Sequence, residues 1–208
     1  MNARQQACDR LRRRDLEGFQ REAAIGQAAE WTRETVEMLA GAGLTCRTVA
    51  GAGTGTFPLE AKSGVWNELQ CGSYVFMDAD YARNLEDDGA PFAEFEHALF
   101  VLATVMSQPA EGRAVLDAGL KALAFDSGPP VLHGRMDVVY EGASDEHGRL
   151  AFEPSNRPPR PGERMLLIPG HCDPTVNLHD WYVAVRGLAW EGAFVEAVWP
   201  VAARGAGF

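Results

Sequence analysis

Lysine is nearly absent from this sequence: Lys62 and Lys121 are the only two in 208 residues. Positive charge as a whole is outnumbered, with 19 Lys and Arg against 29 Asp and Glu and a net charge of -10. A surface of that sign repels phosphate backbones and anionic lipid, so nucleic acid and membrane are not expected partners. The one basic run, Arg10 to Arg14, is broken by Leu11 and flanked by Asp9 and Asp15, which reads as a solvated helix start. Cysteine is sparse too. Cys8, Cys46, Cys71 and Cys172 form no C-x-x-C pair, which supports neither a disulfide framework nor a zinc finger and makes a reducing cytoplasm the expected location. No apolar run approaches the roughly 20 residues of a membrane span. The opening residues also lack the apolar stretch of a secretory signal. What is present is an ordinary globular composition, 46% apolar and 23% charged, enough for one large domain or two small ones.

Apolar positions Ile25, Ala28, Thr32, Val36 and Leu39 recur at three- and four-residue steps, which predicts an amphipathic helix from about Gly18 to Ala42, ended by Gly41 and Gly43. A strand is expected at Cys46–Ala50 and a second at Val65–Gln70, with a short helix at Asp78–Leu85. Beyond about Pro91 the apolar stretches shorten and become β-branched. Strands are expected at Ala98–Met106, Ala114–Ala118, Asp137–Glu141, Leu150–Phe152, Met165–Ile168, Trp181–Arg186 and Phe194–Val201. Asp145-Glu146-His147-Gly148 reads as a hairpin turn, and Pro154 to Pro161 as a rigid loop. The expected fold is therefore α/β over residues 1–90 and mainly antiparallel β over residues 91–208.

Between the first two strands lies Gly51-Ala52-Gly53-Thr54-Gly55-Thr56, and the second ends at Cys71-Gly72-Ser73. Helix, strand, glycine loop, strand and glycine turn is how the last units of a (β/α)8 barrel read, and such barrels often hold a phosphate there. Glycines let backbone N–H groups approach an anion closely, and Thr54 and Thr56 add hydroxyls. The same residues fit plain turns equally well. No lysine follows in the Walker A position, and a dinucleotide fingerprint is spaced differently.

In Pro169-Gly170-His171-Cys172-Asp173-Pro174-Thr175, extended chain would put His171 and Asp173 on one side and Cys172 on the other. An imidazole and a carboxylate suit Mn²⁺, Co²⁺ or Zn²⁺, with water and substrate completing the shell. The alternatives are an Asp173 that caps a helix opened by Pro174, and a His171 hydrogen-bonded in the core. His133, His147 and His179 fit turn or surface roles.

Together these stretches resemble the D-threonine aldolase and D-serine dehydratase group, within the fold type of alanine racemase. The resemblance is carried by Gly51 to Thr56, Glu68 to Tyr81, Asp117 to Leu123, Pro169 to Asp180 and Glu196-Ala197-Val198-Trp199-Pro200, in the family's order from about residue 15 onward. It implies a pyridoxal phosphate held through its phosphate by Gly53, Thr54, Gly55, Thr56, Gly72, Ser73 and Tyr74. It also implies a divalent metal on His171 and Asp173. The aldolases carry His-x-Asp, whereas the dehydratases tend to have cysteine at the second position, so Asp173 favours the aldolase. The implied reaction is retro-aldol cleavage of a D-3-hydroxy amino acid to glycine and an aldehyde.

The family's Schiff-base lysine lies near the start of the barrel, and neither Lys62 nor Lys121 matches it. No histidine precedes His97, so the histidine expected as base has no counterpart either. The chain thus resembles the C-terminal portion of a member. A few barrel strands leave an open edge. The chain alone is expected to be marginally folded, dimerised or aggregated, and inactive unless a lysine-bearing half complements it. The rival readings are a D-serine or 3-hydroxyaspartate dehydratase and a non-catalytic remnant or partner subunit.

Overall fold

The computed structural model describes residues 18–84, 90, 92–153, 157–187 and 192–205. The Arg10–Arg14 run, Cys8, Leu85 and residues 154–156 of the proline-rich loop lie outside the described residues. The chain divides into two compact units, Met1–Ala98 and Leu99–Phe208.

The first unit opens with helix α1, Gly18–Gly41. Its buried positions are Ile25 and Ala29, and Ala28, Thr32, Val36 and Leu39 are half-buried on the same stripe. Gly43 takes φ 75 just past the end, so Leu44 N–H reaches Leu39 O at 2.9 Å and Gly43 N–H reaches Ala40 O at 3.0 Å. This is the left-handed glycine stop that the sequence predicts.

The expected strands on either side of the glycine loop shrink to two residues each. β1, Ala50–Gly51, pairs in parallel with β2, Glu68–Leu69. The reason is visible at Asn67. Its side-chain amide accepts from Val49 N–H at 2.9 Å and donates to Arg47 O at 2.9 Å, so an amide group stands where a neighbouring strand would continue the ladder. Between β1 and β2 runs a helix the pattern reading misses, α2, Phe57–Ser63. Its signals were local. Pro58 sits in the first turn and Gly64 follows the end at φ 69. The helix expected at Asp78–Leu85 is only a 3₁₀ turn, Tyr81–Arg83, because Asp78 Oδ1 accepts from Tyr81 N–H at 2.9 Å and makes an aspartate turn instead.

The second unit is built on a six-stranded antiparallel sheet. Its strands are β3 (Val101–Ala110), β4 (Arg113–Leu116), β5 (Val131–Leu132), β6 (Val138–Ala143), β7 (Gly148–Phe152) and β8 (Arg164–Ile168), in the order β5-β8-β3-β4-β7-β6. β5, only two residues long behind Pro129-Pro130, is too short to show a pattern in sequence. Alternate residues line one core: Ala114 and Leu116, Val138 and Tyr140, Leu150 and Phe152, Met165 and Leu167. Register shifts between Val105 and Ser107 and between Tyr140 and Gly142 mark bulges, which bend strands. The end strands β5 and β6 come beside each other, so the sheet nearly closes. The β6–β7 connection is the expected hairpin, held by Ser144 N–H to His147 O at 2.8 Å.

After β8 a short helix α3, Cys172–Val176, leads to a separate hairpin of β9 (Trp181–Arg186) and β10 (Phe194–Pro200). Trp181, Val183, Phe194, Val198 and Trp199 are exposed on it. No helix among the described residues is long and apolar enough to cross a membrane.

Candidate phosphate cradle and metal centre

The glycine loop leaves β1 and the Gly72-Ser73 turn follows β2, so two parallel neighbours deliver both turns at their C-terminal ends. The turns are joined directly: Tyr74 N–H donates to Thr54 Oγ1 at 3.1 Å. Thr54 is buried, and its hydroxyl serves as the tie between the turns. Thr56 Oγ1 donates to Glu60 Oε1 at 2.9 Å. Both threonine hydroxyls therefore have partners inside the unit. The groups left to meet an anion are amides. Gly53 O accepts from Thr56 and Phe57 N–H at 3.2 and 3.0 Å, whereas the N–H groups of Gly53, Thr54, Gly55, Gly72 and Ser73 donate to no partner among the described residues. Ala52 takes φ 75, a left-handed conformation unusual for alanine, inside the same loop. A left-handed residue beside right-handed ones can turn successive N–H groups to one side and make an anion-binding concavity. Tyr74 lays its ring against Phe95 with centroids 5.4 Å apart, and Phe95 packs against Phe57 of α2 at 5.8 Å. The residues present fit a phosphoryl group.

Two glycines hold the loop close to its walls. A Cβ on Gly51 would come 2.6 Å from Trp66 Nε1, and one on Gly55 would come 2.6 Å from Asn84 Nδ2.

Glu60 is 4% exposed, and its Oε2 has no partner among the described residues. Burial pushes its carboxyl above the ordinary range, with the Thr56 hydrogen bond opposing. A raised carboxyl favours the folded state while it is protonated. That contribution is complete below the unfolded pKa and is lost as pH rises through the folded one. Glu60→Gln, which removes the buried charge, is expected to raise the melting temperature of the first unit at pH 8. The gain should vanish near about pH 4, where both side chains are neutral. Parallel thermal melts at the two pH values check this, and an equal gain at both would contradict it.

The second constellation lies wholly in the second unit. The extended geometry expected for His171 to Asp173 holds only for His171, at φ -146 and ψ 128; the chain then turns into α3, with Asp173 in its first turn. His171, not Asp173, occupies the cap position. The helix arises because Pro174, fixed near helical φ, suits a first turn. Cys172, between the two, is buried. The two side chains still converge: His171 Nε2 and Asp173 Oδ2 are 3.1 Å apart. Metal–donor bonds of about 2.0–2.2 Å at roughly right angles place two donors about 3 Å apart, so the separation suits adjacent positions on one ion.

A third residue, which sequence reasoning missed, completes the arrangement. Asp126 Oδ2 lies 2.6 Å from His171 Nδ1, on the opposite edge of the ring. Its own burial pushes the Asp126 carboxyl up, but the hydrogen bond to His171 holds it below the usual range. No spacing rule connects residues 126 and 171. The only local signal was the turn-rich Asp126-Ser127-Gly128-Pro129-Pro130. Among the described residues no three His, Cys, Asp or Glu side chains surround a common point, so an ion here would have His171 and Asp173 as its protein ligands. His179 Nε2 lies 2.9 Å from Ala122 O, His133 packs edge-on to Phe100, and His147 is exposed in the hairpin turn.

Comparison with known proteins accounts for this plan. Residues 98–185 match the family model described as "Putative serine dehydratase domain". The chain is 47% identical over 190 residues to a 3-hydroxy-D-aspartate aldolase of Paracoccus denitrificans, covering 90% of this chain and 47% of that protein. It is 47% identical over 179 residues to a D-threonine aldolase of an Arthrobacter species, covering 86% of this chain and 45% of that protein. Among solved structures, the D-threonine aldolase of Filomicrobium marinum superposes with a TM-score of 0.85 at 48% identity, covering 94% of this chain and 52% of that one. A mutant D-threo-3-hydroxyaspartate dehydratase in a metal-free form gives 0.69 at 25% identity, covering 84% and 50%. An alanine-racemase-like protein of Idiomarina loihiensis, at 20% identity and a TM-score of 0.59 over 78% of this chain and 48% of that one, shares the fold.

The fold is thus that of the alanine-racemase-like enzymes. Within it the chain is a relative of the D-threonine aldolase and D-serine dehydratase group, and it spans about half the length of the relatives it matches.

Proposed function

We propose that this chain forms the C-terminal, phosphate- and metal-holding portion of a lyase that cleaves D-3-hydroxy amino acids to glycine and an aldehyde. The observation that carries the reading is the convergence of His171 Nε2 and Asp173 Oδ2 at 3.1 Å, an imidazole–carboxylate pair with a second carboxylate behind the ring. Relatives named D-threonine aldolase and 3-hydroxy-D-aspartate aldolase support it, as does a dehydratase relative solved in a form distinguished as metal-free.

Pyridoxal phosphate, when bound, supplies an electron sink for breaking the Cα–Cβ bond. A divalent ion (Mn²⁺, Co²⁺ or Zn²⁺) supplies a Lewis acid for the substrate's β-hydroxyl. The chain's own residues bind and orient. The amides of Gly53, Thr54, Gly55, Gly72 and Ser73 take phosphoryl oxygens. Thr54 locks the two turns in register, and His171 and Asp173 hold the ion. The surroundings of the two lysines support a cofactor-bearing lysine from elsewhere: Lys62 is exposed near Glu22 at 3.9 Å, and Lys121 pairs with Glu146 on the surface. The cofactor-bearing lysine therefore comes from outside these 208 residues, and the chain alone is inactive. It works in the cytoplasm as part of a homodimer or with a complementing half.

Calorimetric titration with Mn²⁺ tests the ion-holding role. Wild type is expected to bind one Mn²⁺ and His171→Ala none. Equal binding by both removes the proposed centre. The second reading, a D-serine or 3-hydroxyaspartate dehydratase, is favoured by the domain family matched at residues 98–185. In complemented enzyme, release of an aldehyde upholds the aldolase and release of a keto acid the dehydratase. A complex that forms yet turns over neither substrate leaves the non-catalytic remnant.

A further inference from the structure

We propose that Asp126 is the positioning carboxylate of the ion centre: it accepts the Nδ1–H of His171 and so fixes the tautomer that turns the Nε2 lone pair toward the ion. The proposal deepens the reading of His171 and Asp173 as ion ligands and rests on it.

A neutral imidazole carries one proton and can place it on either nitrogen. Which nitrogen binds metal is set by the hydrogen bond that the other makes. Here Nδ1 faces Asp126 Oδ2 at 2.6 Å, and Nε2 faces Asp173 Oδ2 at 3.1 Å. With the proton on Nδ1, Nε2 and the Asp173 oxygen are two lone-pair donors turned toward each other. That pair calls for a positive charge between them, which a divalent ion or a second ring proton supplies. Exposure grades in the same direction: the His171 side chain is 23% exposed, Asp126 51% and Asp173 80%, so the ring is held while the ligand oxygen stays open.

Asp126 is held in place by the backbone around it. Ala124 N–H donates to Thr175 Oγ1 at 3.1 Å, and Thr175 is buried in α3. The His179 ring lies 2.9 Å from Ala122 O. On the other side of Asp126, Gly170 packs so closely on Gly128 that a Cβ there would sit 2.1 Å from its carbonyl oxygen. Residues 122–128 are thereby fastened along residues 170–179, and Asp126 lies in the middle of that seam. Ser127 Oγ adds a hydrogen bond to Asp126 Oδ2 at 3.3 Å.

The test uses the 208-residue chain, with Mn²⁺ affinity read from the free-ion signal in electron paramagnetic resonance. Loss of such an outer partner lowers metal affinity by about 10–100-fold, which is the drop expected for Asp126→Ala. Asp126→Asn is expected to fall between it and wild type, because the amide oxygen can still accept the Nδ1 proton. A second readout needs no metal: nitrogen-15 NMR of neutral His171. Wild type is expected to show the Nδ1–H tautomer and Asp126→Ala a shift toward Nε2–H. If Asp126→Ala keeps wild-type Mn²⁺ affinity while His171→Ala loses it, the role of Asp126 is overturned and the ion centre stands. An unchanged tautomer in both Asp126 variants overturns it as well. A wild-type chain that binds no Mn²⁺ overturns the ion centre and the role of Asp126 together.

Discussion

Gly170→Ala is expected to destabilise the second unit by roughly 3 kcal/mol, the upper end of ordinary overpacking. The methyl group would lie 2.1 Å from Gly128 O and 3.4 Å from Pro129 O. Both are backbone atoms, so no side chain can swing aside and the 126–130 segment itself must move. For a domain of about a hundred residues each kcal/mol shifts the melting temperature by roughly 4–8 °C, so a fall of about 12–24 °C is expected. The same displacement takes Asp126 away from His171, so Mn²⁺ affinity should drop in the fraction still folded. Differential scanning calorimetry checks the first effect. A melting temperature within about 2 °C of wild type would show that the seam yields without cost.

Leu167→Ala is the second large effect. Leu167 is fully buried in β8, between β5 and β3, where it pairs with Leu132 and Val101. Strands on both sides fix its backbone, so the space left by the side chain cannot close. A loss of about 2–5 kcal/mol is expected, whereas Leu167→Met should lose less than about 1.5 kcal/mol. Urea denaturation of the two variants separates the cases, and similar midpoints would mean that the core repacks. Because β8 runs directly into Pro169 to Asp173, the alanine variant also tests whether the ion ligands depend on the sheet for their placement.

The second unit was largely legible in the sequence because its strands alternate: Val138 and Tyr140, Leu150 and Phe152, Met165 and Leu167 face the core at two-residue steps. Helix α1 was equally legible from its three- and four-residue stripe and from Gly43. The short elements were not. β1 and β2 are two residues long, and the Asn67 side chain, which no periodicity reports, takes over part of their pairing. α2 was announced by Thr56, Pro58, Glu60 and Gly64, but the glycine motif beside it drew the reading toward a loop. At the candidate centre, His171 and Asp173 were found from their spacing, although a helix start and not extended chain brings them together. Asp126 was out of reach, because its partnership with His171 depends on a close backbone approach 45 residues along the chain.

The three residues of the proposed ion centre all fall between Leu99 and Phe208, and the amide concavity falls entirely before Ala98. Each is assembled by contacts inside its own unit: one by a seam of backbone and threonine, the other by a tie between Thr54 and Tyr74. The residues of one set can therefore be substituted without disturbing the contacts that hold the other. A substitution at position 173 would alter the donor set of the β module and leave the tie between Thr54 and Tyr74 untouched.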